Sequence, residues 1–456
     1  MAVNRVPDWL QQRAQLSPQR LGLVFDQQRW SYSELEARVA AAAALLAGRG
    51  VRAGQRVGLL APNGAPYVVA VHALSRLGAV LVPINTRLAP AEVDWQVADA
   101  QLSLVLDAAA CNELAEAPPA PASSPHTFQL DQPHSIVYTS GTTGRPKGAI
   151  LTYQNHWWSA VASALNLGLL PTDRWLACLP LFHVGGLAIL LRSVIYGITA
   201  EVHARFDPAA VNAAIDAGVS IVSVVSTMLD RMLLERGQRQ YPPTLRCVLL
   251  GGGPAPRLLL ERAIAVGAPV VQTYGLTETA SQVATLAPED AVRKLGSAGK
   301  PLIGTQLRIE PDGEICVYGP TVSPGYLHHP PAGDGWLHTG DLGYLDADGY
   351  LYVLDRRDDL IVSGGENVYP AEVEAALLAH PSVADAGVFG VPDPVWGASV
   401  AAAVVLTPGQ RVTADELVAF CRQRLAGYKV PRQVVFRDML PRNAAGKLLR
   451  RALTLP

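Results

Sequence analysis

The chain has 456 residues, roughly three domain-sized units at about 150 residues each, which excludes a single small module. Hydrophobic residues make up 49% and charged residues 17%, and 37 basic against 39 acidic side chains leave a formal charge of −2. No basic field suited to nucleic acid or to an anionic membrane is present. Five cysteines, Cys111, Cys178, Cys247, Cys316 and Cys421, are odd in number and widely spaced, so they suggest neither a disulfide framework nor a zinc knuckle. A reducing, cytoplasmic compartment is expected. Met1 to Leu10 carries Arg5, Pro7 and Asp8 and lacks the apolar stretch of a secretory signal.

In chain order, Ser31 and Ser33 are each followed three residues later by Glu34 and Glu36, a capping-box pattern that opens an Ala-rich helix ending near Gly48. A second helix is expected from Pro66 to just before Gly78, then a buried strand over residues 79–84. Residues 112–134, rich in Ala, Pro and Ser and without periodicity, read as a connector. The uncharged run from Trp175 to Leu191 approaches the length of a membrane span, but Pro180, His183 and Gly185-Gly186 interrupt it. Buried strand, loop and helix is the reading there, with no transmembrane segment. Asp207-Pro208 places proline at a first helical position, Gly218 ends that helix, and residues 220–225 form a β-branched strand. Thr227 with Asp230 opens the next helix. This alternation predicts an α/β fold in which helices cover parallel sheets.

From about Gly304 the grain changes to short strands with Asp-Gly turns at Asp312-Gly313 and Asp348-Gly349. Residues 345–353 read as a hairpin whose Asp346–Gly349 segment is a plain turn, because the remaining ligand positions of a calcium loop are missing. A helix from Pro370 to about His380, strands within 383–406 and a helix begun by Thr413 and Glu416 form a compact tail of about a hundred residues, a small α+β domain.

The sharpest local feature is Tyr138-Thr-Ser-Gly-Thr-Thr-Gly-Arg-Pro-Lys-Gly148 after the apolar Ile136-Val137. Its glycines let backbone approach an anion, its hydroxyls add donors, and Lys147 adds charge, which is phosphate chemistry. It is not a Walker loop, since Pro146 precedes the lysine and Gly148 follows it.

This segment resembles the phosphate loop of the adenylate-forming superfamily of acyl-CoA synthetases, peptide-synthetase adenylation domains and luciferases. The resemblance continues in the family's order through Gly251-Gly-Gly-Pro-Ala-Pro256, Tyr274-Gly-Leu-Thr-Glu-Thr279, Thr339-Gly-Asp341, Asp355-Arg356-Arg357-Asp358-Asp359 and Pro441-Arg442-Asn443-Ala-Ala-Gly446-Lys447. It implies a large N-terminal domain, residues 1–357, of parallel-sheet sub-domains plus a small β-barrel, hinged near Asp358 to a mobile C-terminal domain, residues 358–456. It also implies a ligase in which a carboxylate attacks the α-phosphate of ATP, pyrophosphate leaves, and CoA then displaces AMP from the acyl carbon. ATP and CoA are substrates and Mg2+ the cofactor.

By the same resemblance, Thr139, Ser140, Gly141, Thr142, Thr143, Gly144 and Lys147 hold phosphate, while Gly251, Gly252 and Gly253 line the adenine pocket with Tyr274 nearby. Glu278 ligates magnesium beside Thr277, which contacts phosphate. Asp341 accepts the ribose hydroxyls, as two carboxylate oxygens can, and Arg356 supports the same sugar. Lys447, on a Gly-containing loop, neutralises charge at the α-phosphate. Rotation at Asp358 withdraws Lys447 and brings Gly364 and Gly365 to the site for the pantetheine arm.

His183 matches the position that orients the carboxylate and gates the second step. The string around it, with residues 274–282 and 363–370, is most similar to the branch of the family that activates the aromatic keto-diacid 2-succinylbenzoate in menaquinone biosynthesis. Arg192, Ser281 and Gln282 are candidates for its second carboxylate. Other aryl- or fatty-acyl-CoA ligases are the alternative, because they share every catalytic motif. An ADP-releasing hydrolase fails on the Walker match, and a dead nucleotide-binding module would be expected to lack Lys447 or Glu278. With no carrier segment before Pro456, free CoA is the expected acceptor. A homo-oligomer is left open, and no nucleic-acid partner is expected.

Overall fold

The computed structural model describes residues 4–118, 126–139, 146–253, 255–329, 333–356, 359–363, 366–393, 396–425, 427–443 and 446–455. These residues build an α/β molecule around two large sheets. The first has five strands in the order Leu104–Asp107, Arg56–Leu60, Val80–Pro83, Pro133–Thr139 and Lys147–Thr152, with only the last antiparallel to its neighbour. The second has nine, and its central six, Val270–Tyr274, Cys247–Leu250, Ile221–Val224, Arg174–Ala177, Thr199–Val202 and Leu21–Phe25, run parallel. Parallel strands covered on both faces read as near-continuous apolar runs. Cys247–Leu250 and Ile221–Val224 are buried at every position.

The predicted helices form, with informative differences at their ends. Tyr32–Gly48 starts from a Ser31/Glu34 capping box, but Glu36 lies inside the protein, ion-paired to Arg76 at 2.5 Å. That helix buries its second turn against its neighbours, so a carboxylate there needs a buried partner. Ala65–Arg76 and Pro208–Asp216 lie where expected, the latter capped by Asp207. The helix expected to open at Thr227 begins one residue earlier, at Ser226, and its N-cap Val225 supplies no side-chain bond. The interrupted apolar run resolves into strand Arg174–Ala177, a loop and helix Val184–Tyr196. No helix among the described residues is long and apolar enough to cross a membrane. The expected connector is more structured than its composition suggests: helix Ala108–Glu116 runs into it, and strand Thr127–Gln129 pairs with Arg5–Pro7.

A four-stranded antiparallel sheet, Gln306–Ile309, Glu314–Tyr318, Leu337–Leu345 and Leu351–Arg356, follows. Its Asp346–Asp348 turn is clamped by Lys294, whose ammonium lies 2.7 Å from Asp346 and 2.6 Å from Asp348, so an ion pair holds this turn. The tail forms its own sheet around the long hairpin Val383–Asp393 and Gly397–Leu406, covered by Pro370–Leu378 and Ala414–Arg422, with a separate apolar core.

Candidate active site

In open α/β sheets, ligands bind beyond the carboxyl ends of the strands, where the strand order reverses. Here the chain leaves Arg174–Ala177 for the neighbour on one side, Thr199–Val202, and then returns to the other side as Ile221–Val224. His183 follows the first of these strands, Val225 the third, Gly251 the strand Cys247–Leu250, and Gly275 the strand Val270–Tyr274. Candidates remote in sequence therefore share one sheet edge. Asn63, beyond the end of strand Arg56–Leu60, fastens the other large sheet to that edge: its amide donates to the Leu179 and His203 carbonyls at 2.9 and 3.2 Å and accepts from the Leu181 N–H at 2.9 Å.

The phosphate segment is a hairpin, with Thr139 opposite Lys147 and Tyr138 opposite Gly148. A methyl group on Gly148 would lie 2.7 Å from Ile136, so glycine lets the two strands close. Ser140, Gly141, Thr142, Thr143 and Gly144 lie outside the described residues. The Lys147 ammonium lies 5.6 Å from the centre of the Tyr326 ring, and the Tyr326 hydroxyl donates to Glu278 Oε1 at 2.7 Å. Among the described residues no cation pairs with Glu278. A half-buried carboxylate whose hydrogen-bond partner is a phenol and not a cation fits a hard divalent ion such as Mg2+, which prefers carboxylate and phosphate oxygens. Tyr326 carries no motif signal of its own. Its one cue is the Gly325-Tyr326 pair, which an isolated bridge from Tyr326 to Ala149 joins to the strand bearing Lys147.

On the sugar side, the Tyr274 hydroxyl donates to Asp341 Oδ2 at 2.7 Å, and Asp341 is 6% exposed. Pairing between Glu314–Tyr318 and Leu337–Leu345 shifts register between Glu314 and Cys316, an irregularity of the kind that re-aims side chains next to active sites. Across the other edge, Asp341 stands directly opposite Arg356, so the two ribose candidates are cross-strand neighbours. The Arg356 side chain lies outside the description.

Gly252 has φ +81°, and a methyl group there would lie 3.0 Å from Val225 Cγ1. The tail reaches the same residue: a methyl group on Gly446 would lie 3.3 Å from Thr227 Oγ1 and 3.7 Å from Val225 Cγ2. The loop ending in Lys447 thus rests on the edge that carries the glycine segment. Arg442 holds this loop, donating to the Gly446 carbonyl at 2.8 Å and to both Asp385 oxygens at 2.7 and 2.8 Å. Asp358, Gly364 and Gly365 lie outside the described residues, although strands Ile361–Ser363 and Glu366–Val368 pair on either side of the two glycines.

On the acid side, His183 stands at the start of helix Val184–Tyr196. Burial, with a smaller contribution from Arg87, pushes its pKa down to about 4, so the ring is neutral at pH 7. Its Nε2 is buried without a hydrogen-bond partner among the described residues. The segment after Glu278 turns sharply: Ala280 and Ser281 have φ of 50° and 102°, and any side chain on Gly275 would strike the Ser281 carbonyl. Arg192 stands behind this turn. It is 2% exposed and donates to Ser159 Oγ at 2.8 Å, and Ser159 donates to the Ala280 carbonyl at 2.6 Å. Gln282 donates to Thr285 Oγ1 at 3.2 Å within the sheet. Of the three acid-side candidates, Arg192 and Gln282 are engaged inside the protein, and Ser281 is half-buried at the strained turn.

Candidate residues gathered at these strand ends, with the Gly446 loop of the tail reaching Val225 and Thr227, match the layout expected of an adenylate-forming enzyme. The sequence profile of the AMP-binding enzyme family matches residues 10–327 and that of the AMP-binding enzyme C-terminal domain matches residues 372–447, so the chain belongs to this family. It is 49% identical to the 2-succinylbenzoate–CoA ligase of Geobacillus sp. (strain WCH70), covering 98% of this chain and 97% of the relative. It also superposes with a TM-score of 0.93 on the o-succinylbenzoate CoA synthetase (MenE) of Bacillus subtilis in complex with the acyl-adenylate intermediate OSB-AMP, at 45% identity, covering 100% of this chain and 99% of that one. Against the same enzyme in complex with ATP and magnesium ion the TM-score is 0.91, at 45% identity, covering 98% of this chain and 99% of that one.

Proposed function

We infer that the chain is an AMP-forming acid–thiol ligase that activates 2-succinylbenzoate and passes it to CoA, the step that supplies the CoA ester for menaquinone biosynthesis. One observation carries this reading: near-50% identity and near-complete mutual coverage with a 2-succinylbenzoate–CoA ligase, joined to superposition on a homologue holding the acyl-adenylate. Other aryl- or fatty-acyl-CoA ligases are not favoured. The reaction needs no membrane-spanning element, and the five cysteines are free and buried, which supports a cytoplasmic location.

In the first step a carboxylate oxygen of the acid attacks the α-phosphorus and the bond to pyrophosphate breaks. Asp341, braced by Tyr274, accepts from the ribose hydroxyls, and the Gly251–Gly253 backbone lies along the base. Glu278, with Thr277 beside it, would hold Mg2+, which when bound offsets charge on the phosphate oxygens. Lys147 and Lys447 add positive charge to the same oxygens; such positioned electrostatics is the main device of phosphoryl chemistry. Neutral His183 offers its buried Nε2 to the carboxylate. In the second step the CoA sulfur attacks the acyl carbon, the thiol proton is lost, and AMP leaves.

Division into residues 1–357 and 358–456 is supported by the end of one sheet at Arg356, the start of the next at Ile361, and the separate core of the tail. Contact of the Gly446 loop with Val225 and Thr227 supports an adenylating arrangement, from which rotation near Asp358 would bring Gly364 and Gly365 forward. The deciding experiment compares 2-succinylbenzoate, benzoate and decanoate as drivers of CoA-dependent pyrophosphate release. The first should exceed the others by far, and equal rates would remove the substrate assignment.

A further inference from the structure

Away from the nucleotide edge, the antiparallel sheet brings three metal-ligating side chains together. Cys316 stands directly opposite His338 in register, and Glu314 lies two residues before Cys316 on its strand, while Ile315 and Val317 between and beyond them point into the apolar core on the other face. His338 Nδ1 lies 3.3 Å from Cys316 Sγ and 3.2 Å from Glu314 Oε2, and all three ligand atoms fall within 4.8 Å of one another. A tetrahedral zinc ion with ordinary bond lengths would set its S–N and N–O ligand separations at roughly 3.4–3.6 Å. One ring nitrogen carries at most one proton, so it cannot donate to both the sulfur and the carboxylate fully. A divalent cation between the three would engage each of them.

The surroundings favour a cation. His338 Nε2, the ring nitrogen turned away from the cluster, lies 3.8 Å from Asp334 Oδ2, which adds a nearby negative charge without a hydrogen bond. Glu310 is a further carboxylate near Cys316. Arg308 shares this region, but its charge is taken up by Glu310 at 2.7 Å and, at 3.8 Å, by Asp334. Cys316 and Glu314 are buried, whereas the His338 side chain is 46% exposed, which gives an ion an entry path and an open position for water.

We propose that Glu314, Cys316 and His338 form a binding site for one zinc-class divalent cation, separate from the magnesium used with ATP. Burial and the neighbouring Glu314 and Glu310 carboxylates keep the Cys316 proton on sulfur, with its pKa pushed up to about 11. The incoming ion displaces that proton to solvent, forms the metal–thiolate bond, and draws in the His338 ring nitrogen and a Glu314 oxygen. The second Glu314 oxygen accepts from the Gly340 N–H at 2.9 Å, one residue before Asp341, so occupancy would stiffen the strand that carries the ribose carboxylate.

The test uses the full chain, stripped of metal by a chelator and free of nucleotide, titrated with Co2+ alone. One equivalent should bind with a thiolate-to-cobalt charge-transfer band, and Zn2+ should bleach it. Cys316→Ser should lose the band. His338→Gln, changed at a half-exposed position, should bind more than about a hundredfold more weakly, beyond the roughly 10–100-fold that loss of an outer partner of a ligand costs. Absence of the band in the folded wild type, an unchanged band in Cys316→Ser, or undiminished affinity in His338→Gln each overturns the site. If Cys316→Ser does not fold, His338→Gln decides alone.

Discussion

The nucleotide side and the acid side of this site are built on opposite plans. On the nucleotide side, polar groups from distant segments meet one another, Tyr274 with Asp341 and Tyr326 with Glu278, and the Gly446 loop lies against Val225 and Thr227. On the acid side, the strongest sequence candidate, Arg192, is turned inward to Ser159 and through it to the Ala280 carbonyl. One side presents charge directly. The other turns its buried charge to Ser159, whose hydroxyl reaches the turn at Ala280 and Ser281, both at positive φ.

The comparison can be broken most forcefully at Lys447. Lys447→Ala should slow acyl-adenylate formation by about a hundred- to thousandfold, the usual cost of removing one aimed donor from a developing anion. Thioesterification of supplied acyl-adenylate should stay within about twofold. Equal loss of both half-reactions would mean that the loop supports the fold and not the first step. Asp341→Ala should have the next largest effect, raising the KM for ATP by roughly ten- to a hundredfold, since hydrogen bonds to a charged group contribute about 1.5–3 kcal/mol. An unchanged KM for ATP would remove the ribose assignment.

Arg192 tests the acid side. If it braces the turn, Arg192→Met should lower kcat/KM by about tenfold for 2-succinylbenzoate and equally for an analogue lacking the second carboxylate, with KM for ATP unchanged. It should also cost about 1–3 kcal/mol of stability in urea denaturation, because Ser159 loses a buried partner. A loss confined to the diacid would show direct contact with the second carboxylate and erase the contrast between the two sides.

The same contrast explains what could be read from sequence. Phosphate chemistry favours glycines, hydroxyls and cations grouped in short segments, so Tyr138–Gly148, Gly251–Gly253 and Tyr274–Thr279 stand out in the sequence. The parallel sheets were legible for a related reason: β-branched runs alternate with capped helices at Ser31 and Asp207. Ends decided by tertiary contacts were not. Glu36 matches a capping box but pairs with Arg76, the helix after Ile221–Val224 starts from Val225 without a side-chain cap, and Thr127–Gln129 becomes a strand only because Arg5–Pro7 lies beside it. Arg192 illustrates the limit for function. Its position near His183 is visible in sequence, but whether its guanidinium faces a ligand or Ser159 depends on the packing of two helices.

Tyr326 sharpens the comparison in the smallest step, because it belongs to the nucleotide side yet carries no charge. Its hydroxyl supplies the hydrogen bond to Glu278 Oε1 while its ring faces the Lys147 ammonium. Tyr326→Phe keeps the ring and removes only the donor. Water can replace that donor at a half-buried carboxylate, so the loss should be about 0.5–1.5 kcal/mol, or roughly two- to tenfold. It should appear as a higher Mg2+ concentration for half-maximal adenylation, with kcat at saturating Mg2+ close to wild type and the KM for 2-succinylbenzoate unmoved. Tyr326→Leu should add a loss of thermal stability, because the ring also packs beside the strand that carries Lys147. If Tyr326→Phe left the Mg2+ dependence untouched, Glu278 would not be the carboxylate that meets the metal, and the polar convergence on the nucleotide side would reduce to Asp341 and the two lysines.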